Sequence, residues 1–202
     1  MSYIMRPTTE IQIVNLIWQN PGIHVRELAR RLKLGIPSIK YALEKLKKDK
    51  IIASKTEGRN LKFYINFNSK ESYSYIPLLN VHNIQNLNEK TRSMIYDLLK
   101  SLSIKPLMTI IFGSYAIGDY KKSSDLDLLL IYSDKDNPDD IEQKSKIISQ
   151  RYGIKISPVY MKWEEFRKNF HNNTDKFIKQ VKNNKIVFIG IEWWVMLENE
   201  SA

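Results

Sequence analysis

Residues 107–132 read LMTIIFGSYAIGDYKKSSDLDLLLIY, and no other stretch of the chain limits the fold so tightly. Two short apolar runs, Met108–Phe112 and Leu128–Tyr132, have the length and the bounding turn residues of buried strands. The first ends at Gly113-Ser114. A loop follows with Gly118 and the basic pair Lys121-Lys122, and Ser124-Asp125-Leu126-Asp127 leads into the second run.

Each part of this unit has a chemical use. Gly113 lets backbone approach an anion closely, and a helix opening near Ser114 points N–H groups at phosphates. Asp125 and Asp127 are two apart on a strand, so both carboxylates emerge on one face. Paired carboxylates beside a phosphate cradle suit Mg²⁺ bridged to a nucleoside triphosphate, and Lys121 and Lys122 are placed to neutralise phosphate charge.

The chain also divides by charge. Its net charge is +10, yet residues 1–67 hold 13 Lys+Arg against 5 Asp+Glu, and the remainder holds 19 against 17. A basic module joined to a near-neutral one is the layout expected for nucleic-acid binding plus a second task. Within the basic part, helical spacing predicts helices over Thr9–Gln19, Val25–Leu32 and Pro37–Lys48. Strands over Ile51–Thr56 and Leu61–Phe67 follow, joined by the turn Glu57-Gly58-Arg59-Asn60. Three helices and a hairpin make a winged helix-turn-helix. The segment resembles the winged-helix regulators of archaea and bacteria, above all in VRELARRLKLGIPSIKYALEKLKKDKII.

In that arrangement the third helix docks in a major groove of double-stranded DNA. Ser38, Lys40 and Tyr41 reach base edges, while Lys45, Lys48, Lys55, Arg59 and Lys62 meet phosphates. Winged helices also serve as protein-interaction modules. Glu44 either reads cytosine or pairs with Lys40 or Lys48 at i±4. Residues 68–88 are polar, rich in Tyr and Asn, and interrupted by Ser69-Lys70-Glu71-Ser72; they read as a connector. Asn88 then caps a helix from Glu89 to Leu102. Domains of 1–67 and 89–202 result.

Strand, Gly-Ser, spacer, then Asp-x-Asp on the next strand resembles the DNA polymerase beta-like nucleotidyltransferases, particularly the minimal nucleotidyltransferase domains of prokaryotes. The resemblance runs over about residues 89–197 and implies an α/β domain with a mixed sheet. It further implies that Gly113 and Ser114 contact the triphosphate and that Asp125 and Asp127 hold divalent metal, serving as catalytic residues in an active enzyme. The family pattern has a third carboxylate on a later strand. Here that strand, Lys155–Met161, follows a helix over Pro138–Tyr152, contains no acid, and places Ser157 where the third acid belongs. Glu164 and Glu165 are substitutes only if they do more than open the next helix, where acids are favoured anyway.

The three histidines show no ligand spacing, and Trp193 and Trp194 read as core or interface residues. The absence of cysteine excludes a disulfide framework, a thiolate zinc site and a cysteine nucleophile. No apolar run approaches the roughly 20 residues of a membrane span, and MSYIMRPTTE does not resemble a secretory signal, so a cytoplasmic protein is expected. The leading expectation is a homodimeric DNA-binding transcriptional regulator whose second domain binds Mg²⁺ and ATP or another triphosphate. The alternative is an active, antitoxin-type enzyme that transfers a nucleotide from ATP to a toxin-like partner protein, with autoregulatory DNA binding. A scaffold that binds neither ligand is the third.

Overall fold

The computed structural model describes residues 8–136, 138–172 and 174–200. The start of the N-terminal stretch read for a targeting signal lies outside them. The chain forms two compact units, divided between Leu79 and Asn80.

The first unit opens with α1 (Thr9–Gln19), where the Thr8 hydroxyl accepts from the Ile11 N–H at 3.4 Å. Next come β1 (Ile23–His24), α2 (Val25–Leu32), α3 (Ile36–Lys48), β2 (Ile52–Glu57) and β3 (Asn60–Ile65). Pro37 stands in the first turn of α3, where its missing N–H leaves no intrahelical bond unmade. The three helices bury Ile13, Val14, Ile17, Trp18, Leu28, Ile39, Leu43 and Leu46 against Phe63 and Ile65 of β3. The β2–β3 hairpin is the expected wing. It gains a third strand that periodicity over two residues could not reveal: β1 pairs antiparallel with β3, Ile23 opposite Phe63.

Most of the predicted connector is one helix, α4 (Lys70–Asn86), with Pro77 inside it. Its regularity was hidden because it buries polar as well as apolar side chains: Ser72, Asn80 and Asn83 beside Ile76 and Leu79. The hydroxyl of Ser72 donates to the carbonyls of Asn66 and Ser69, which removes the penalty of its burial.

The second unit contains α5 (Glu89–Ser101), β4 (Met108–Ile111), α6 (Gly113–Ile117), β5 (Leu126–Tyr132), α7 (Ile141–Tyr152), β6 (Ile156–Lys162), α8 (Trp163–His171), α9 (Lys176–Asn183), β7 (Ile186–Ile189) and α10 (Ile191–Glu200). Asn88 caps α5 as expected, its side-chain oxygen 2.8 Å from the Thr91 nitrogen, a bond worth about 1 kcal/mol. The sheet order is β6-β5-β4-β7; β5 and β6 are parallel and the other pairs antiparallel, so the sheet is mixed. Leu126, Leu128, Leu130 and Tyr132 join the cluster built on α5 and α7. By strand alternation Asp127, Leu129 and Ile131 point to the opposite face. Pro158 of β6 stands opposite Leu128 and brings no N–H, which suits an edge strand.

Trp194 is buried beside Phe166 and Phe170, as a core residue, while Trp193 meets Trp163 edge-on. Lys185 is buried over the Trp194 ring, its ammonium 2.9 Å from the Lys182 carbonyl. Among the described residues no helix is long and apolar enough to cross a membrane.

Candidate functional site

The C-terminal end of β4 and the start of β5 build one site. The Phe112 N–H donates to the Asp127 carbonyl at 3.2 Å, which holds the turn into α6 against the second strand. Gly113 follows with φ +67, a left-handed value that disfavours any side chain. A Cβ there would collide with the Asp127 carboxylate. Glycine is required at this point because the backbone turn and the second aspartate occupy the same space. Ser114 is half-buried in the first turn of α6, whose leading N–H groups have no intrahelical acceptor.

Asp125 and Asp127 stand at the start of β5, and Lys155 and Ser157, at the start of the neighbouring strand β6, join them. In the parallel β5–β6 ladder Ser157 stands opposite Asp127, and the Leu126 N–H donates to the Lys155 carbonyl at 2.7 Å. The Lys155 ammonium lies 2.6 Å from Asp125 Oδ2, and the Ser157 hydroxyl donates to that same oxygen at 3.1 Å. These bonds, Lys155 first, hold the Asp125 carboxyl below the usual range. Burial, then the charge of Asp125, pushes the Asp127 carboxyl above it. The two aspartates are thus unequal: one is neutralised and solvated, the other partly desolvated.

Ser157 occupies the position where the third acid was sought. Glu164 and Glu165 do not replace it. They open α8 beyond Lys162, and the strand between Ser157 and Lys162 spans about 16 Å. The Glu164 N–H donates to Asp134 Oδ1 at 3.1 Å, the helix-opening role read from the sequence. Among the described residues no group of three or more His, Asp and Glu is placed to hold a metal ion. The two carboxylates nevertheless fit Mg²⁺ in its usual substrate-assisted form, in which one or two carboxylates share the ion with phosphates. Gly113, lacking Cβ, keeps the Asp127 oxygen clear on that side.

Lys121 and Lys122 are exposed on a turn closed by the Lys121 N–H to the Ser124 hydroxyl at 2.9 Å. The cation that reaches Asp125 is Lys155, which the sequence reading passed over. Its signal was there: Lys155-x-Ser157 repeats the two-residue spacing of Asp125-x-Asp127 at the start of the neighbouring strand. Beside the Gly-Ser turn, Tyr115 and Tyr120 stack with centroids 4.1 Å apart and planes within 5°, and the Tyr120 hydroxyl accepts from the Asn88 amide at 2.9 Å.

The winged helix presents a second surface. Ser38, Lys40, Tyr41 and Lys48 are exposed on α3, Tyr41 at 76% of its full area. Lys55 is exposed on β2, and Arg59 at the wing tip. Two of the named lysines are already engaged. Lys45 pairs with Glu10 of α1 at 3.1 Å, and Lys62 pairs with Glu57 across the wing at 2.7 Å. Glu44 pairs with Lys47 at i+3, at 3.7 Å, rather than with the expected i±4 lysines.

A winged helix-turn-helix followed by a mixed sheet carrying a Gly-Ser turn and Asp-x-Asp defines the class: a DNA-binding domain and a nucleotidyltransferase domain in one chain. The winged helix-turn-helix DNA-binding family model matches residues 6–53. The nucleotidyltransferase domain family model matches residues 92–196, just over half of the chain, and the chain belongs to that family. Two relatives come from Methanocaldococcus jannaschii, each named as a candidate protein adenylyltransferase. One is 44% identical over 59 residues, covering 26% of this chain and 57% of that protein. The other is 38% identical over 68 residues, covering 32% of this chain and 66% of that protein. The chain therefore spans less than two thirds of either relative. A solved structure of a candidate nucleotidyltransferase from Sulfolobus solfataricus is 19% identical with a TM-score of 0.30, covering 54% of this chain and 85% of that one.

Proposed function

We propose that the protein is a duplex-DNA-binding transcriptional regulator whose second domain binds Mg²⁺-ATP, or another Mg²⁺-bound triphosphate, and turns it over slowly. The observation that carries the second half is Ser157. A hydroxyl stands opposite Asp127, and it donates to Asp125 instead of offering a base. A neutral serine accepts a proton poorly at neutral pH, so an attacking hydroxyl has no general base at that position. Asp125 and Asp127 hold the cation, which when bound supplies charge neutralisation at the phosphates. The Gly113-Ser114 turn receives phosphate oxygens, and Lys121 and Lys122 meet charge at the outer end. The exposed face of α3 and the wing tip read duplex DNA. A homodimer on two half-sites, acting in the cytoplasm, completes the reading.

Two measurements test it on the full-length protein. Retention on duplex DNA is expected to fall steeply with salt; salt-insensitive or absent retention refutes the regulator. Calorimetric titration with Mg²⁺-ATP is expected to show one site, lost in Asp125→Ala plus Asp127→Ala. The absence of binding refutes the nucleotide half.

A second reading is favoured by the names of the Methanocaldococcus relatives. In it the protein transfers AMP to a hydroxyl on a partner, such as a toxin-like protein. The hydroxyl oxygen bonds to the α-phosphorus, the bond to the β-phosphate breaks, pyrophosphate leaves, and the proton passes to solvent. Labelled ATP with the neighbouring gene's product tests this. Transfer that the double aspartate variant abolishes supports it, and no transfer removes it.

A further inference from the structure

Four side chains meet at the start of the β5–β6 ladder: Asp125 and Asp127 from one side, Lys155 and Ser157 from the other. Their formal charge is −1, not the −2 of bare paired aspartates or the −3 of a three-acid site. The ammonium sits 2.6 Å from Asp125 Oδ2, so it takes a lone pair that an arriving divalent cation would use. Its hold is loose in one sense. The Lys155 side chain is 72% exposed, on a flexible four-carbon stem that can swing without disturbing the core. Ser157 cannot take over the neutralising task, because a hydroxyl carries no charge. Lys121 and Lys122 are exposed in the α6–β5 loop and make no ion pair with Asp125 among the described residues.

We infer that Lys155 is a resident countercation of the nucleotide site, which covers Asp125 when the site is empty and transfers to the triphosphate when a divalent cation takes that carboxylate. This rests on the reading above, that the two aspartates hold the ion. Ammonium and metal compete for one oxygen, so free divalent cation binds weakly. A triphosphate brings negative charge enough for both cations, and the competition ends. Metal entry thereby becomes conditional on nucleotide. Lys155 is a positioning residue for the metal and a binding residue for phosphate, and these two roles give its removal effects of opposite sign.

The test is titration of the full-length protein with Mn²⁺ alone, free Mn²⁺ being read by electron paramagnetic resonance, and separately with Mg²⁺ and α,β-methylene ATP by calorimetry. Lys155→Met is expected to bind Mn²⁺ about tenfold tighter and the ATP analogue about tenfold more weakly. Lys155→Arg, which keeps the charge, is expected to follow the wild type in Mn²⁺ affinity. A merely structural lysine would move both affinities the same way and lower the melting temperature. Unchanged or weaker Mn²⁺ binding in Lys155→Met overturns the inference, as does undiminished affinity for the analogue. If Lys155→Met does not fold, Lys155→Gln carries the same comparison. Asp125→Asn plus Asp127→Asn separates the two levels. Wild-type Mn²⁺ binding in that variant refutes the nucleotide-site reading itself, whereas its loss, with Lys155→Met unaffected, refutes only the role of the lysine.

Discussion

Replacing Gly113 by Ala tests the construction of the site directly. The φ of +67 imposes a left-handed conformation on a side-chain-bearing residue, which costs about 1–2 kcal/mol. The new Cβ also collides with the Asp127 carboxylate, and such overpacking adds about 1–3 kcal/mol. A total loss of about 2–5 kcal/mol is expected. Gly118 is the internal control. Its φ is +82, and a Cβ there meets nothing within 4 Å, so Gly118→Ala loses only the conformational part, about 1–2 kcal/mol. The decisive comparison is Gly113→Ala in an Asp127→Ala background. There the facing atom is the residue-127 Cβ at 3.6 Å, an ordinary contact, and the cost of Gly113→Ala is expected to fall to that of Gly118→Ala. Urea unfolding, followed by Trp163, Trp193 and Trp194 fluorescence in a Trp18→Phe background, supplies the five free energies: the parent, Gly113→Ala, Gly118→Ala, Asp127→Ala and the double variant. Equal costs for Gly113→Ala with and without the Asp127 carboxylate would refute the idea that turn and carboxylate share one space.

Three further outcomes are expected. On duplex DNA, Lys48→Ala and Arg59→Ala should each flatten the salt dependence by about one counterion, whereas Lys45→Ala and Lys62→Ala should do less because Glu10 and Glu57 already hold them; equal slopes for all four would contradict the pairing. Burial pushes the Lys185 ammonium down to about 8, so between about pH 8 and 10.5 the unfolded chain binds more protons and stability rises with pH; Lys185→Met should flatten that rise in pH-dependent denaturation, and a parallel profile would count against it. Ser157→Asp restores a third carboxylate, and labelled-ATP transfer should rise at least tenfold if a missing general base is what slows turnover; an unchanged rate would place the deficit elsewhere.

Much of this fold was legible because its signals are local. The stripe Ile39, Ala42, Leu43 and Leu46 marks α3, and all four are buried. The Gly-Ser turn and Asp-x-Asp follow from chain geometry over two residues. What escaped reading depends on partners distant in sequence. The strand β1 exists only because β3 is there to pair with it. The helix α4 hides its inner face behind Ser72, Asn80 and Asn83, whose polarity masks the period. Lys155 acquires meaning only when β6 lies parallel to β5, 30 residues from the aspartate it meets.

The placement of these residues on two different strands also bears on how such a site can change over time. Asp127 belongs to β5 and Asp125 immediately precedes it; that strand is flanked by β4 and β6 and is buried from Leu128 to Tyr132. Almost any alteration there disturbs packing on two sides. Ser157 belongs to the edge strand β6 and Lys155 immediately precedes it, with a neighbour on one side and solvent near the lysine. Substitutions at these two positions leave the core untouched, yet Lys155 to a neutral residue and Ser157 to an acid would shift the charge around the aspartates by two units. The sheet therefore keeps the carboxylates where mutation is expensive and their electrostatic setting where it is cheap. On the proposed function, drift along that one strand would be enough to move a lineage carrying this fold between holding a nucleotide and reacting it.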